Sequence, residues 1–177
     1  MSIRFFFVFF LVFAMTMVSS SSSVTSLSHG WGDGIAWMPL KEGIVEAAAT
    51  KKPVMLIIWK SWCGACKALR PLFAASTDIV SESSNFVVVN VLDDEEPSDS
   101  SFAPDGGYIP RILFLTPQGA VINEGYAQNH GAAEQYKYFH SDPSPIIATM
   151  IAVRTRNAAE VLATSEVPSS LANNQDL

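Results

Sequence analysis

The chain contains only two cysteines, Cys63 and Cys66, and they stand three positions apart. They lie in the segment WCGAC at 62–66, which follows an apolar run at 54–59 and opens a segment with helical periodicity. A disulfide between them would close almost no loop, so it would constrain the unfolded chain very little. The spacing therefore favours a chemical role for the pair over a stabilising one.

Two apolar runs on either side of this helix predict buried strands. Residues 54–59 and 86–92 are apolar without alternation, which is typical of strands buried on both faces of a sheet. The predicted order of elements is helix, strand, helix, strand, hairpin and helix, which indicates an α/β architecture with a central mixed sheet and helices on both faces. Helices are predicted at 40–50 and at 61–76, the second kinked at Pro71. Strands at 112–115 and 120–122 form a hairpin around a turn at 116–119. A last helix is predicted with Ser144 as N-cap and Pro145 as its first residue.

The position of Cys63 at the start of a helix favours its thiolate. Unpaired backbone N–H groups and the helix dipole stabilise an anion at a helix N-terminus. We therefore expect an exposed Cys63 sulfur with a pKa below the ~8.5 of a free cysteine. Cys66, one turn further along, is expected to be more buried. The Cys63 thiolate would attack a disulfide and Cys66 would resolve the mixed disulfide, which is thiol–disulfide exchange in either direction.

Other interpretations of the polar residues stay open. A zinc site needs four ligands, and beyond the cysteines the chain offers only His29, His130 and His140, so a metal would have to be shared across a dimer. A purely structural disulfide is a second alternative. The acidic run at 93–96 could bind calcium or guide basic clients, although a solvated loop that caps a strand end is the simpler interpretation. We assign no metal to the site and no role to His130 or His140.

The N-terminal residues 1–23 have the pattern of a secretory signal peptide, because Arg4 is followed by an apolar run and then by serines. A retained signal anchor is the alternative. Removing the leader makes the formal net charge of −6 one unit more negative, and an acidic domain without a basic stripe excludes nucleic acid as a partner. We predict a flexible entry segment at 24–36, a single α/β domain at 37–165 and a disordered tail at 166–177, with no membrane contact after cleavage.

Several segments together resemble the thioredoxin superfamily, and within it the endoplasmic-reticulum group that includes the anterior-gradient proteins. The resemblance covers about residues 30–139. It is carried by KSWCGACKAL at 60–69, the acidic segment at 93–97 and PDGGYIPRILFL at 104–115, with support from YKYF at 136–139. It implies a thioredoxin fold and a luminal protein-disulfide oxidoreductase, with glutathione as a candidate co-substrate and no cofactor beyond the redox-active cysteine pair.

The resemblance also implies roles for individual residues. Cys63 would be the nucleophile and Cys66 the resolving thiol, although anterior-gradient proteins lack the second cysteine. Pro110 would follow a cis peptide bond and shape the groove where a client backbone docks. Trp62 would pack beside the site and shield it. The groove would be lined by Trp62, Gly64, Ala65, Ile109 and Pro110.

Ile57 is a departure from ordinary thioredoxins, which place a buried carboxylate six residues before the first cysteine to relay a proton for the second. Cys66 must then lose its proton to water, to the client or to another group, so we expect slower turnover than in a thioredoxin. Lys60 could favour the Cys63 thiolate electrostatically, although a solvated lysine is the simpler interpretation.

Together these features predict an enzyme, a thiol–disulfide oxidoreductase that acts as a monomer on proteins of the secretory pathway. Its expected partners are client proteins with thiols or disulfides, and glutathione is a candidate. The final NQDL at 174–177 resembles an endoplasmic-reticulum retrieval signal, which favours the lumen over secretion. The alternative function is a luminal chaperone or secreted module that binds clients without exchanging disulfides.

Overall fold

A computed structural model describes residues 27–165 of the chain. The predicted signal peptide, the first residues of the entry segment and the C-terminal tail lie outside the described residues. Short 3-10 helices occur in the connections. The main elements are α1 (Leu40–Thr50), β1 (Val54–Trp59), α2 (Gly64–Ala75), α3 (Thr77–Ser83), β2 (Val87–Leu92), β3 (Arg111–Leu115) and α4 (Pro143–Ser165).

The three strands form one mixed sheet in the order β2-β1-β3. The central strand β1 runs parallel to β2, with Val54 opposite Val87, and antiparallel to β3, with Val54 opposite Leu115. Every residue of β1 is buried, as expected for an unbroken apolar run in the middle of a sheet. The predicted α/β class with a mixed sheet is confirmed.

The two faces of β1 belong to different core clusters, because successive side chains of a strand point to opposite faces. Leu56 faces the cluster that contains Ala47 of α1. Ile57 faces the other cluster, which contains Phe73 of α2 and Met150 of α4. Helices therefore cover both faces of the sheet, and the face with α2 also carries the two cysteines.

The predicted second strand of the hairpin, at 120–122, is present only as an isolated antiparallel bridge between Leu115 and Val121. Backbone hydrogen bonds still close the hairpin, since the N–H of Thr116 donates to the carbonyl of Ala120 and the N–H of Ile122 donates to the carbonyl of Phe114, both at 2.8 Å. Further along β3, the N–H of Ile112 donates to the carbonyl of Tyr138 at 2.9 Å. A later segment of the chain therefore occupies the part of this edge that lies beyond the hairpin.

The predicted helix at 61–76 is the single helix α2, which begins three residues later than predicted, at Gly64, and continues through Pro71 to Ala75. Ser76 then caps the unpredicted α3, because its hydroxyl accepts a hydrogen bond from the N–H of Ile79 at 3.3 Å. A serine at such a position is a common helix start, but the sequence analysis ends its helix at residue 76 and predicts no helix over 77–83.

The last helix begins two residues earlier than predicted, at Pro143. The carboxylate of Asp142 accepts the N–H of Ser144 at 2.8 Å, so the expected roles of Ser144 as N-cap and Pro145 as first helical residue are wrong. Between residues 27 and 165, no helix combines the length and apolar character needed to cross a membrane.

The entry segment is packed rather than loose over residues 27–36. Trp31 is fully buried, and its ring meets the rings of Trp59 and Phe73 edge-on at centroid distances of 5.9 and 5.4 Å. The expectation of a flexible entry is wrong for these residues, because a large aromatic side chain fixes them to the face of the sheet that holds the cysteines.

Candidate active site

The two cysteines form a disulfide at the start of α2, with their Cα atoms 5.3 Å apart. Cys63 is the N-cap of the helix, and its sulfur accepts a hydrogen bond from the N–H of Cys66 at 3.1 Å. The strand β1 and the turn after it place the pair there, as the sequence predicts. The first sulfur therefore lies where helix N–H groups converge.

Both cysteines are largely enclosed in this oxidised form. Cys66 is fully buried, as expected, whereas Cys63 is only 6% exposed. The prediction of an exposed Cys63 sulfur is therefore wrong for the disulfide state. The cause is local packing, since Cys63 belongs to the same apolar cluster as Trp59 and Cys66.

The interior behind Cys66 is apolar. Ile57 is fully buried and belongs to the same cluster as the two cysteines. Its neighbour across the sheet is Asn90, which does not titrate and whose amide is bonded to the carbonyl of Leu27 at 2.6 Å. The place where thioredoxins carry a carboxylate thus holds an aliphatic side chain.

The segment before β3 lies opposite Cys63. The peptide bond between Ile109 and Pro110 is cis, as the resemblance implies. The carbonyl oxygen of Ile109 is 3.8 Å from the sulfur of Cys63. Pro110 is buried and Ile109 is partly buried, so the two residues form one wall beside the disulfide.

The other wall consists of the residues around Cys63. Trp62 is 72% exposed, so it does not shield the disulfide and that expectation is wrong. Gly64 and Ala65 are also exposed, and the position that a Gly64 side chain would take is open space. The five predicted groove residues therefore lie on the two sides of the disulfide. One side has Trp62, Gly64 and Ala65, and the other has Ile109 and Pro110.

The acidic run after β2 is tied to the loop that leads into Cys63. Asp93 accepts the N–H of Ser61 at 2.8 Å through its carboxylate, and its carbonyl accepts a hydrogen bond from Lys60 at 2.6 Å. The hydrogen bond from the Ser61 N–H is the main reason that the pKa of Asp93 lies below its usual value, and the charge of Lys60 adds to it. The acidic run therefore makes specific contacts with the loop before Cys63 and is not only a solvated loop.

Arg111, the residue after Pro110, is a buried charged residue beside the site that sequence reasoning missed. Its side chain is 1% exposed and ion-paired with Glu96. The same carboxylate pairs with Lys60 at 2.6 Å, so the interpretation of Lys60 as a solvated lysine is wrong. An arginine inside an otherwise apolar strand sequence, RILFL, was the signal that could have found this network, because a buried charge requires a partner.

The three histidines differ in their surroundings. His140 is fully buried, and burial lowers its pKa to about 4, so it is neutral near pH 7. The imidazole of His29 is 3.9 Å from the carboxylate of Glu95, while His130 is exposed. Within residues 27–165, no three side chains of His, Cys, Asp or Glu are grouped as metal ligands.

A mixed sheet with a cysteine pair at a strand–helix junction, opposite a cis-proline, defines a thioredoxin-like protein. The family model described as thioredoxin-like matches residues 36–117. Anterior gradient protein 2-B of Xenopus laevis is 34% identical over 132 residues, which cover 73% of this chain and 77% of the relative. The chain therefore belongs to the thioredoxin-like family, in the group of the anterior gradient proteins.

Other similarities cover smaller parts of the chain. Anterior gradient protein 3 of Mus musculus is 38% identical over 98 residues, which cover 54% of this chain and 58% of the relative. This chain thus matches less than two thirds of the length of that protein. A solved thioredoxin from Thermus thermophilus is 24% identical, with a TM-score of 0.42, over 50% of this chain and 71% of that chain.

Proposed function

We propose that the protein is a thiol–disulfide oxidoreductase that exchanges disulfides with client proteins through Cys63 and Cys66. The observation that carries the proposal is the disulfide itself, at a helix start and 3.8 Å from the carbonyl of Ile109. A disulfide closed over so short a loop adds little stability. Its position suits attack on, or by, a client segment lying in the groove.

The reaction of the reduced form has two steps. The Cys63 thiolate attacks one sulfur of a client disulfide, a mixed disulfide forms, and the other client sulfur leaves as a thiolate and takes a proton from solvent. Cys66 then loses its proton and attacks the Cys63 sulfur, and the second client thiol is released. Two electrons pass from the cysteine pair to the client, and the reverse sequence oxidises a client dithiol.

The contacts of Cys63 suit it to the first step. The N–H of Cys66 donates to its sulfur in the oxidised form, and the same N–H group and the helix dipole would stabilise a thiolate after reduction. Cys63 is also the more exposed of the two cysteines. We therefore assign it the role of nucleophile and Cys66 that of resolving thiol.

The second step lacks a carboxylate that could take the proton of Cys66. Ile57 is fully buried where thioredoxins place that group, and desolvation disfavours a thiolate. Water or the departing client must then accept the proton. Slow resolution follows, so mixed disulfides with clients should persist longer than they do in a thioredoxin.

The partners and the compartment extend the same proposal. Clients with thiols or disulfides are the expected substrates, with glutathione as the co-substrate that resets the pair and the endoplasmic-reticulum lumen as the site of action. The leader-like sequence at 1–23 and the final NQDL support that compartment. The protein is expected to act as a monomer. Secretion is the alternative to action in the lumen.

A peptide with one disulfide and a fluorescent readout, in glutathione buffer, tests this function. The wild type should catalyse exchange, and Cys63→Ser should abolish the catalysis because the remaining cysteine, Cys66, is fully buried and cannot reach the client disulfide. Cys63→Ala as a second variant guards against residual chemistry of the serine hydroxyl. Catalysis that survives both changes, or that never exceeds the buffer rate, would exclude the oxidoreductase.

A second candidate is a module that binds clients without exchanging disulfides. The 72% exposure of Trp62 favours it, because an exposed aromatic beside a groove is suited to hold apolar client segments. Binding of a reduced, unfolded client by the wild type and by Cys63→Ser with equal affinity, together with no exchange activity in either, would support the binding module instead.

A further inference from the structure

A chain of charged contacts joins the two walls of the client groove. Arg111 lies directly after Pro110 and is nearly fully buried. Its guanidinium donates to the carbonyl of Tyr108 at 2.5 Å and to that of Phe102 at 3.2 Å. The third partner is the carboxylate of Glu96. Arg111 thus holds the backbone on both sides of Ile109, whose carbonyl faces Cys63.

Glu96 continues the chain of contacts towards the other wall. One carboxylate oxygen accepts from Arg111, and the other lies 2.6 Å from the ammonium group of Lys60. Lys60 begins the turn into the active site, because its carbonyl accepts the N–H of Cys63 at 3.1 Å. One side chain therefore bridges the segment before Cys63 and the segment that contains the cis peptide.

The carboxylate of Glu96 is suited to this bridge because it is charged and has two acceptor oxygens. Burial alone would raise the pKa of Glu96, but hydrogen bonds from Lys60 and Arg111 outweigh it and hold the pKa below its usual value. The group is thus ionised at neutral pH. A glutamine of the same shape would keep one acceptor oxygen and lose the charge.

We propose that Glu96 is a positioning residue for disulfide exchange, and that its contacts with Lys60 and Arg111 hold the two groove walls at the separation that a client backbone requires. The inference rests on the proposed function, since it concerns how a client docks beside Cys63. Glu96 itself does not touch the reacting sulfurs. Its effect should therefore appear in client binding and not in the intrinsic reactivity of Cys63.

The variant Glu96→Gln separates these two effects, with Glu95→Gln as its matched control. Glu95 is the preceding residue, it is 56% exposed, and its carboxylate accepts the N–H of Leu92 instead of bridging the walls. Both changes remove one negative charge from the same loop. Only the first removes the bridge between Lys60 and Arg111.

Two rates measured on the reduced proteins give the first readout. For exchange with a disulfide peptide, Glu96→Gln should raise KM by about tenfold with kcat within about twofold, which is the signature of lost substrate binding. The rate of Cys63 alkylation by iodoacetamide, a reagent too small to need the groove, should change by less than about threefold. Glu95→Gln should leave both rates unchanged.

Hydrogen exchange gives a second readout that needs no catalysis. In Glu96→Gln, peptides that cover 60–63 and 108–111 should exchange faster by about tenfold, while peptides from β1 should exchange as in the wild type. An equal acceleration in all three segments would mean that Glu96 merely stabilises the fold. Acceleration in only one of the two walls would also overturn the proposal.

The remaining outcomes separate this inference from the proposed function. A wild type that turns over the peptide while Glu96→Gln has the same KM contradicts the positioning role and leaves the oxidoreductase intact. Equal losses in kcat and in alkylation would mean that Glu96 acts on the thiolate, which also contradicts it. A wild type without peptide turnover would remove the oxidoreductase, and the exchange data would still decide whether Glu96 couples the two walls.

Discussion

The rim of the site, which consists of the two groove walls with Lys60, Glu96 and Arg111, differs from the interior behind Cys66 in the polar partners that surround buried groups. On the rim, Arg111 is buried but has a carboxylate and two carbonyls as partners. In the interior, Cys66 lies among apolar side chains such as Ile57. Under the proposed function, the rim would position a client, whereas the interior has the aliphatic Ile57 where thioredoxins have a carboxylate to accept the proton of the second step.

This contrast indicates how a thioredoxin-like fold can separate the two halves of its chemistry. Attack depends on groups that face the groove, and resolution depends on groups beneath the helix. A chain can keep the first and weaken the second by one substitution in a buried strand, since Ile57 lies in the middle of β1. The expected consequence is a protein that captures clients faster than it releases them.

Replacing Cys66 by serine should have the largest effect on turnover and should sharpen the contrast most. Without the resolving thiol, steady-state exchange should fall by more than about 10³-fold, because the mixed disulfide can be resolved only by an external thiol. The first attack, measured as the burst of client thiol released by the reduced protein, should stay within about twofold of the wild type. Non-reducing gels would show the accumulated adduct; its absence would contradict the assigned order of attack.

Removing Arg111 should have the largest effect on stability. In Arg111→Met the carboxylate of Glu96 loses its buried partner, and the free energy of unfolding should fall by about 3 kcal/mol. Lys60→Met breaks the more exposed half of the same network and should cost at most about 1 kcal/mol. Urea unfolding of the two variants measures both values, and equal losses would contradict the view that the buried end of the network dominates its energy.

The pH dependence of stability tests a buried polar group that, unlike Arg111, has no hydrogen-bond partner among the described residues, the imidazole of His140. Its pKa falls from the usual 6.5 to about 4 on folding, because burial disfavours the charged ring. The unfolded chain therefore binds the extra proton first. Stability should be unaffected above pH 6.5 and should fall as the pH drops from 6.5 to about 4, by about 3 kcal/mol at most.

Urea unfolding of His140→Phe from pH 7 to pH 4 would check this expectation. The variant should lose most of the slope between those values, since it has no ring to protonate. His130→Phe is the control, because His130 is exposed and its replacement should leave the slope as it is in the wild type. A slope that persists in His140→Phe would assign the acid sensitivity to other groups.

Restoring a carboxylate in the interior should have the smallest effect, and it tests the contrast directly. In Ile57→Asp, a buried aspartate with a raised pKa could take the proton of Cys66, so the mixed disulfide should decay about tenfold faster in single-turnover experiments. The control is Ile57→Asn, because asparagine has nearly the same shape as aspartate but cannot titrate. It should not accelerate the decay of the mixed disulfide. Equal decay in the wild type and Ile57→Asp would show that proton removal does not limit resolution.

The fold was predictable from patterns that depend on near neighbours in the chain. Helix α1 and strand β1 have the predicted bounds, because a strand buried on both faces must be apolar throughout. The hairpin segment at 120–122 pairs with the end of β3 as an isolated bridge, and Tyr138, a distant residue in the chain, bonds Ile112 further along the same strand. The contact with Tyr138 cannot be found by inspecting the sequence near β3 alone.

The features of the site likewise divide into those that the sequence predicted and those that it did not. The pairing of Cys63 with Cys66 and the loss of a carboxylate at Ile57 were predictable from spacing and from a resemblance. The exposure of Trp62 and the burial of Cys63 were predicted wrongly, because accessibility depends on remote segments, such as the one that places Ile109 beside Cys63.

By itself, the sequence determined the class of chemistry in this protein, since the residue types and their three-residue spacing bring two sulfurs together on a single helical turn. Only the tertiary structure decided which groups surround those sulfurs. Lys60, Glu96 and Arg111 are far apart in the chain, and only the packing of β1, β3 and the acidic loop makes them neighbours. Contacts of that kind depend on distances in space, and no local pattern of residues encodes them.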